Sequence, residues 1–495
     1  MPVIVAHEVD PDTGLMPVYN GLDSCLTQEI ENKTRGLGGP NGDLIYKFEL
    51  GMQAVALEMM LRGFRVDPFA RQTAISNARF KLEATHDVLR QLVAAVWDKP
   101  WKLNNKKLPT FPGSDTQLRD FFYTHMGIRP IRVFSHGEIK LPMDRKILER
   151  LEAYFYARPF VNSILLARDL AKTLQVLETE IDDDWRWRCS YNIGGTTTGR
   201  WSSSKSGIGT GSNFQNVTEE LRRIFIADEG WKICGIDLEQ AEAREVGWFC
   251  GTILGDWSYL DACESGDLHT FVTRMVYPDW AWTGDLRKDR KLAERRFHRH
   301  FTYRDANKRV GHASNYYGKP PTISAATKIP MNLVREFQER YFAAFPCIVR
   351  MHHWVARELQ TKQFLVNAFG RRRDFFDRPK DEETLRSGIA YLFQSATGDR
   401  LNLGLWRTWK HLGTRIQVLA QLHDAHYFQY REDDNEAEVI TEALGYMDVP
   451  LHHGNRTFTI PASPVVGHNW AHRFRLDGDG NLVDWNPRGL AEIKL

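Results

Sequence analysis

The sequence predicts an α+β fold in which a β-rich core is flanked and interrupted by two long helical stretches. From Glu49 to about Ile181 apolar residues recur at helical spacing, as in FELGMQAVALEMMLRGF. Near Trp185 the texture changes to short β-like runs, WRWRCSYNI and WKICGIDL, separated by the Ser/Gly-rich loop WSSSKSGIGTGSN. From about Trp248 to Leu385 the helical pattern returns, and beyond it a helix, RSGIAYLFQSATGDRLNLGLWRTWKHL, leads to two β-like runs, IQVLAQL and HYFQY, joined by a tight polar turn. The Gly/Pro cluster GLGGPNG closes a short, turn-rich start and reads as a boundary.

A chain of 495 residues has room for about three domains of ~150 residues. Hydrophobic residues at 42% and charged residues at 26% match a globular protein, which excludes disorder as the main state, and no apolar run spans a bilayer. Six scattered cysteines without a Cys-x-x-Cys pair suggest neither a disulfide framework nor a zinc ribbon. The start, MPVIVAHEVDPDTG, carries no signal-peptide pattern, so the expected location is the reducing cytoplasm. A net charge of +2 conceals a local basic region: Arg287, Lys288, Arg290, Lys291, Arg295, Arg296, Arg299, Arg304, Lys308 and Arg309 face only Asp289, Glu294 and Asp305.

Three constellations carry chemistry. In IDLEQAEAR an apolar strand delivers Asp237 to a strand-to-helix junction, and in QLHDAHYF Asp424 sits at a hairpin tip. Taken alone, each reads as a cap or turn aspartate. Together, two aspartates projecting from strand ends suit a two-metal site, where two hard divalent cations need oxygen ligands and are held about 3.5–4 Å from each other. A zinc reading of His423, Asp424 and His426 lacks thiols and a helical histidine pair and ranks below Mg²⁺. In YRDANKRVGHASNYYG, Arg304, Lys308, His312 and Tyr316 recur every four residues along one helical stripe, with Thr302 as N-cap and Asp305 three residues on. Cations in the first turns oppose the helix dipole, a cost that a bound polyanion would offset.

These segments, in this order, resemble the A, B and C motifs of family A (DNA polymerase I-like) DNA polymerases, most like a phage version. ELGMQAVALEMMLRGFRVD resembles the family's thumb start, TTTGRWSSS its TGRxSS motif, and NFQN its NLQN; DLH, FGRRR and GHNW follow in family order. The resemblance covers residues 49 to about 472 and implies a right-hand architecture with an antiparallel palm sheet and helical thumb and fingers. The implied domains are a thumb (46–185), a palm in two parts (186–247 and 386–495), fingers (248–385), and a 1–45 remnant of an exonuclease-domain end or N-terminal extension.

The resemblance implies template-directed DNA synthesis from dNTPs, in phage genome replication, with primer-template DNA as partner and two Mg²⁺ ions as cofactor. Asp237, Asp424 and the Leu238 carbonyl would hold the metals. Lys308, Arg304 and His269 would contact the triphosphate, His312, Tyr316 and Gln240 the nucleotide, and Glu242 the sugar, where it blocks a 2′-hydroxyl. Arg200, Asn213, Gln215, Gln394, Arg386, His423, Arg371 and Arg372 would contact DNA; minor-groove acceptors common to all base pairs let such donors test pair geometry without reading sequence.

The sequence departs from the family where motif C has Ala425 after Asp424 in place of the usual Glu, where His312 replaces an aromatic, and where Tyr316-Tyr317-Gly318 leaves the helix-end register open by one residue. Two rival readings remain, a single-subunit RNA polymerase-like enzyme, against which Glu242 argues, and a non-catalytic DNA-binding descendant, suggested by Ala425. Tyr19 and Asp23 resemble the Tyr-x-x-x-Asp end of the family's exonuclease domain, equally readable as a helix start. The expectation is no proofreading within this chain, with editing absent or supplied by a separately encoded 3′→5′ exonuclease docking near residues 1–45, and with that exonuclease or other replisome proteins as further partners.

Overall fold

The apolar run WKICGIDL forms the strand around which the main sheet is organised, β1 (Trp231–Leu238). Its residues 233–236 are buried, the pattern of a strand covered on both faces. In the computed structural model, which describes residues 15–99, 101–102, 111–135, 137–298, 301–477 and 482–493, β1 is joined by β2 (Ile416–Leu422), β3 (Ala425–Arg431), β4 (Ala462–Gly467) and β5 (Ala491–Glu492). The order is β2-β3-β1-β4-β5 and every pairing is antiparallel. Register sets the chemistry, because Asp237 pairs with Ala425 and Ile236 with His426. The two-residue turn between β2 and β3 therefore places Asp424 beside the end of β1, and the Leu238 N–H donates to the Asp424 carbonyl at 3.1 Å. At Gly235 a Cβ would come within 2.6 Å of the Tyr427 ring. Glycine there lets Tyr427 lie over β1 and meet Trp470 edge-on, 5.5 Å between centroids.

The first helical stretch contains α1 (Leu15–Thr34), α2 (Gly42–Arg62), α3 (Pro68–Ala94) and α4 (Arg158–Leu177). α3 starts where Asp67 accepts hydrogen bonds from the Phe69 and Ala70 N–H groups ahead of a proline in the first turn. Its far half joins α4 in a separate core around Leu89, Phe121, Phe122, Leu148 and Ile164. Its near half and α2 belong to the main core, with Met52, Val55, Met59 and Ile75 packed among palm residues. The first helical stretch thus has a core of its own only distally, and the boundary expected at 45 falls inside α2. A small sheet, Phe64–Val66 between Arg186–Trp187 and Phe225–Ile226, ties its base to the palm.

Two segments differ from expectation. Part of the expected Ser/Gly loop, Ser202–Lys205, is a strand paired with Cys189–Asn192; ladder bonds satisfy backbone groups whatever the side chains. Within the basic, helical stretch, Arg296–His298 and Phe301–Thr302 pair as a hairpin. A second hairpin pairs Phe364–Val366 with Arg372–Asp374 around FGRRR, and the main helices are α5 (Ala241–Leu254), α6 (Leu268–Val276), α7 (Tyr303–Asn315), α8 (Met331–Ala344) and α9 (Pro346–Lys362). α10 (Glu382–Leu412) runs 31 residues across the boundary expected at 385 and, with α11 (Glu436–Met447), covers one face of the sheet. Among the described residues no helix is long and apolar enough to cross a membrane. Asp23 lies exposed on α1; the Tyr19 side chain and Arg299 fall outside the described residues.

Candidate active site

A cleft of about 660 Å³ opens between the end of β1, the β2–β3 turn, α6 and α7, lined by Asp237, Leu238, Gln240, Glu242, His269, Lys308, His312 and Asp424. The chain leaves β1 through Gln240, held at φ 54° as the N-cap of α5, which sets Glu242 in the first turn of that helix facing the cleft. His423 occupies the hairpin turn at φ 53°. Asp237 opens onto the cleft, yet the surrounding walls desolvate it and, with Asp424 and Glu239 nearby, push its pKa up to about 6. Burial also raises Asp424, against the opposing pull of Arg200.

Two carboxylates crowded in a poorly hydrated cleft form a donor set that a divalent cation relieves. Among the described residues no group of three or more His, Cys, Asp or Glu side chains is arranged to hold a metal. Mg²⁺ needs only one or two protein carboxylates when substrate phosphates and water complete its shell. His426 cannot supply the carboxylate lost at Ala425. It lies on the opposite face of β3, fully buried, with both ring nitrogens unpartnered, and burial lowers its pKa to about 4.

α7 begins with the expected capping box, the Thr302 hydroxyl accepting from the Asp305 N–H at 3.0 Å while the Asp305 carboxylate accepts from the Thr302 N–H. Arg304 does not stand free to meet an anion. It grips Asp267 through two hydrogen bonds of 3.0 and 3.1 Å. Burial would raise Asp267, but hydrogen bonds from Arg304 and Thr270 hold it at about 2. The cost of a cation in the first turn of α7 is therefore offset within the protein. Lys308, one turn on, is exposed in the cleft. Desolvation, then Arg304 and Lys308, lower His269 to about 4, and the residue lines the cleft within reach of a ligand.

Tyr316 closes α7 and its hydroxyl donates to Glu242 Oε2, while Tyr317 takes the left-handed region at φ 60° and packs against His352. Of the two tyrosines, Tyr316 is therefore the one in contact with Glu242. Glu242 also accepts from Arg200 Nη2 at 2.5 Å, and His312 Nε2 stands 3.8 Å from it. Unanticipated in the sequence was the brace behind the end of α7, where Tyr341 donates to Asn315 Oδ1 at 2.7 Å and Asn315 Nδ2 donates to Tyr259 at 2.9 Å. Its members lie on three helices, so no local pattern could reveal it.

The expected DNA contacts divide. Gln394 and Arg386 lie on α10, Gln394 half-buried and Arg386 exposed beside Glu382 at 3.5 Å. Asn213 and Gln215 shape the loop: Asn213 Oδ1 accepts from the Gln215 N–H at 2.7 Å, and Gln215 Nε2 donates to the Trp201 carbonyl at 3.0 Å. Arg371 is engaged within the protein. Its guanidinium is clamped by Asp399 and Glu49 and largely buried, tying the FGRRR hairpin to α10 and α2. Arg372 is paired with Asp374 at 2.6 Å and lies over Phe364.

The sequence model of DNA polymerase family A matches residues 81–472. The chain belongs to DNA polymerase family A. Among its relatives, the thermostable DNA polymerase I of Thermus filiformis is 25% identical over 494 residues, covering 91% of this chain and 53% of the relative. The DNA polymerase I of Chloroflexus aurantiacus is 25% identical over 462 residues, 86% of this chain and 43% of its own. The DNA polymerase of Escherichia phage T5 is 22% identical over 391 residues, 72% and 43% respectively. The chain spans about half the length of the relatives it matches. The polymerase domain of M. smegmatis Pol1, solved with DNA primer-template and dNTP, shares the fold, with a TM-score of 0.67 at 18% identity over 86% of this chain and 70% of that one.

Proposed function

We propose that this family A chain is a DNA-directed DNA polymerase that adds dNTPs to a primer 3′-hydroxyl in phage genome replication. The observation carrying the reading is the shared cleft of Asp237, Asp424, Glu242 and Lys308. Asp237, Asp424 and the Leu238 carbonyl would hold two Mg²⁺ ions, whose chemistry when bound is to acidify the 3′-hydroxyl and stabilise charge on the phosphates. The chain's own residues position and discriminate. Lys308 offers its ammonium to the leaving pyrophosphate, and His269 donates a neutral hydrogen bond. Arg304 serves chiefly through Asp267, locking α6 to α7 so that both donors keep their spacing. Glu242, fixed by Tyr316 and Arg200, occupies the place a 2′-hydroxyl would need, which favours dNTPs over rNTPs. Gln394, Arg386 and His423 would meet primer-template DNA through phosphates and the minor groove, making binding salt-sensitive.

Primer extension by the purified chain, with dNTPs and then with rNTPs, tests the reading. Mg²⁺-dependent extension with dNTPs is expected. Preferential use of rNTPs would indicate an RNA polymerase, and binding without extension a non-catalytic descendant.

A further inference from the structure

Arg200 sits where primer recognition and metal chemistry meet. Its Nη2 donates to Glu242 Oε1 at 2.5 Å and to Asp424 Oδ1 at 2.9 Å, while Nε is buried without a hydrogen-bond partner. The backbone beneath is fixed, since the Thr196 hydroxyl donates to the Arg200 carbonyl at 2.7 Å. The stem lies close over Gly398 of α10, where a Cβ would stand 3.5 Å from Arg200 Cγ. A guanidinium carries donors and a permanent positive charge, so the Asp424 oxygen it occupies is a weakened ligand, and a divalent cation placed beside it is repelled.

We propose that Arg200 is an internal stand-in for the cation: in the free protein it neutralises Asp424 and Glu242, and capture of a primer end draws it away, so that the divalent metal binds at full strength only on a primed enzyme. The inference rests on the reading of Asp237 and Asp424 as metal ligands and of Arg200 as a primer contact. It adds that these roles compete, because a guanidinium drawn outward to a primer end carries Nη2 away from the two carboxylates it spans. Release of Arg200 leaves Tyr316 holding Glu242, so the sugar gate stays in place as the metal site opens.

Mn²⁺ binding to the full chain, followed by the electron paramagnetic resonance of the free ion, tests this without catalysis. Without DNA, Arg200→Gln is expected to bind Mn²⁺ about tenfold more tightly than wild type, the order of one charge-assisted hydrogen bond. Arg200→Lys, which keeps the charge but not the fork, should gain less. A dideoxy-terminated primer–template should tighten Mn²⁺ binding more in wild type than in Arg200→Gln. Wild-type affinity in DNA-free Arg200→Gln, or equal gains from DNA in both proteins, would overturn the proposal. Failure of the underlying reading is separate: Asp237→Asn and Asp424→Asn would then leave Mn²⁺ affinity unchanged.

Discussion

Tyr316→Phe removes one hydroxyl from the cleft and leaves ring packing intact, so it isolates what holds Glu242 in place. The hydroxyl donates to Glu242 Oε2, while Arg200 keeps the other oxygen at 2.5 Å and His312 stands 3.8 Å away. A hydrogen bond to a charged group contributes about 1.5–3 kcal/mol, and His312, which stays beside Glu242 when a primer draws Arg200 away, places the effect at the lower end. About 1.5 kcal/mol is close to tenfold in relative rate. Because the gate acts by clash, the change should fall on the wrong sugar: kcat/KM for rNTP insertion rises about tenfold, while that for dNTP stays within a few-fold. Single-nucleotide insertion on one primer–template, with Glu242→Ala as the full-loss reference, measures both. An unchanged dNTP/rNTP ratio in Tyr316→Phe alongside a collapsed ratio in Glu242→Ala would show that the carboxylate needs no tyrosine. An unchanged ratio in both would remove Glu242 from the role of gate.

Asp237→Asn and Asp424→Asn should each abolish extension while primer–template affinity, measured on the same preparations, stays within a few-fold; near wild-type extension by either would disqualify it as a metal ligand. Ala425→Glu adds a third carboxylate beside Asp237 and should lower the Mg²⁺ concentration for half-maximal rate while lowering metal-free thermal stability; a higher requirement would mean the site has adapted around alanine. His352 is buried against the Asn315 carbonyl, and burial lowers its pKa from 6.5 to about 4. The folded state then refuses a proton that the unfolded chain accepts, so this stability is complete above pH 6.5 and falls through the window down to about 4. The size is about 3 kcal/mol, and denaturant titrations of wild type and His352→Gln across that window should diverge. Arg400 and Glu245 form an ion pair with side chains 0% and 1% exposed. Arg400→Met should cost about 3–5 kcal/mol by stranding the carboxylate, whereas adding Glu245→Leu should recover most of it in a thermal melt.

The sequence by itself determined the elements and which residues head them. The apolar run ending in Asp237, the polar turn at Asp424 and the Thr302/Asp305 capping box are local signals, each written within a few residues by side-chain periodicity and backbone preference. The order of motifs made the family legible as well. What the tertiary structure decided was which charges are already spent. Arg304 belongs to Asp267, Arg371 to Asp399 and Glu49, and Arg200 to Glu242 and to Asp424, 224 residues away. Strand register likewise turned His426 away from the cleft, and the left-handed turn at Tyr317 left Tyr316 as the tyrosine that meets Glu242. Short-range spacing cannot encode these outcomes. An ion pair depends on the distance and desolvation of two groups, and both are fixed only when strands and helices remote in sequence have packed.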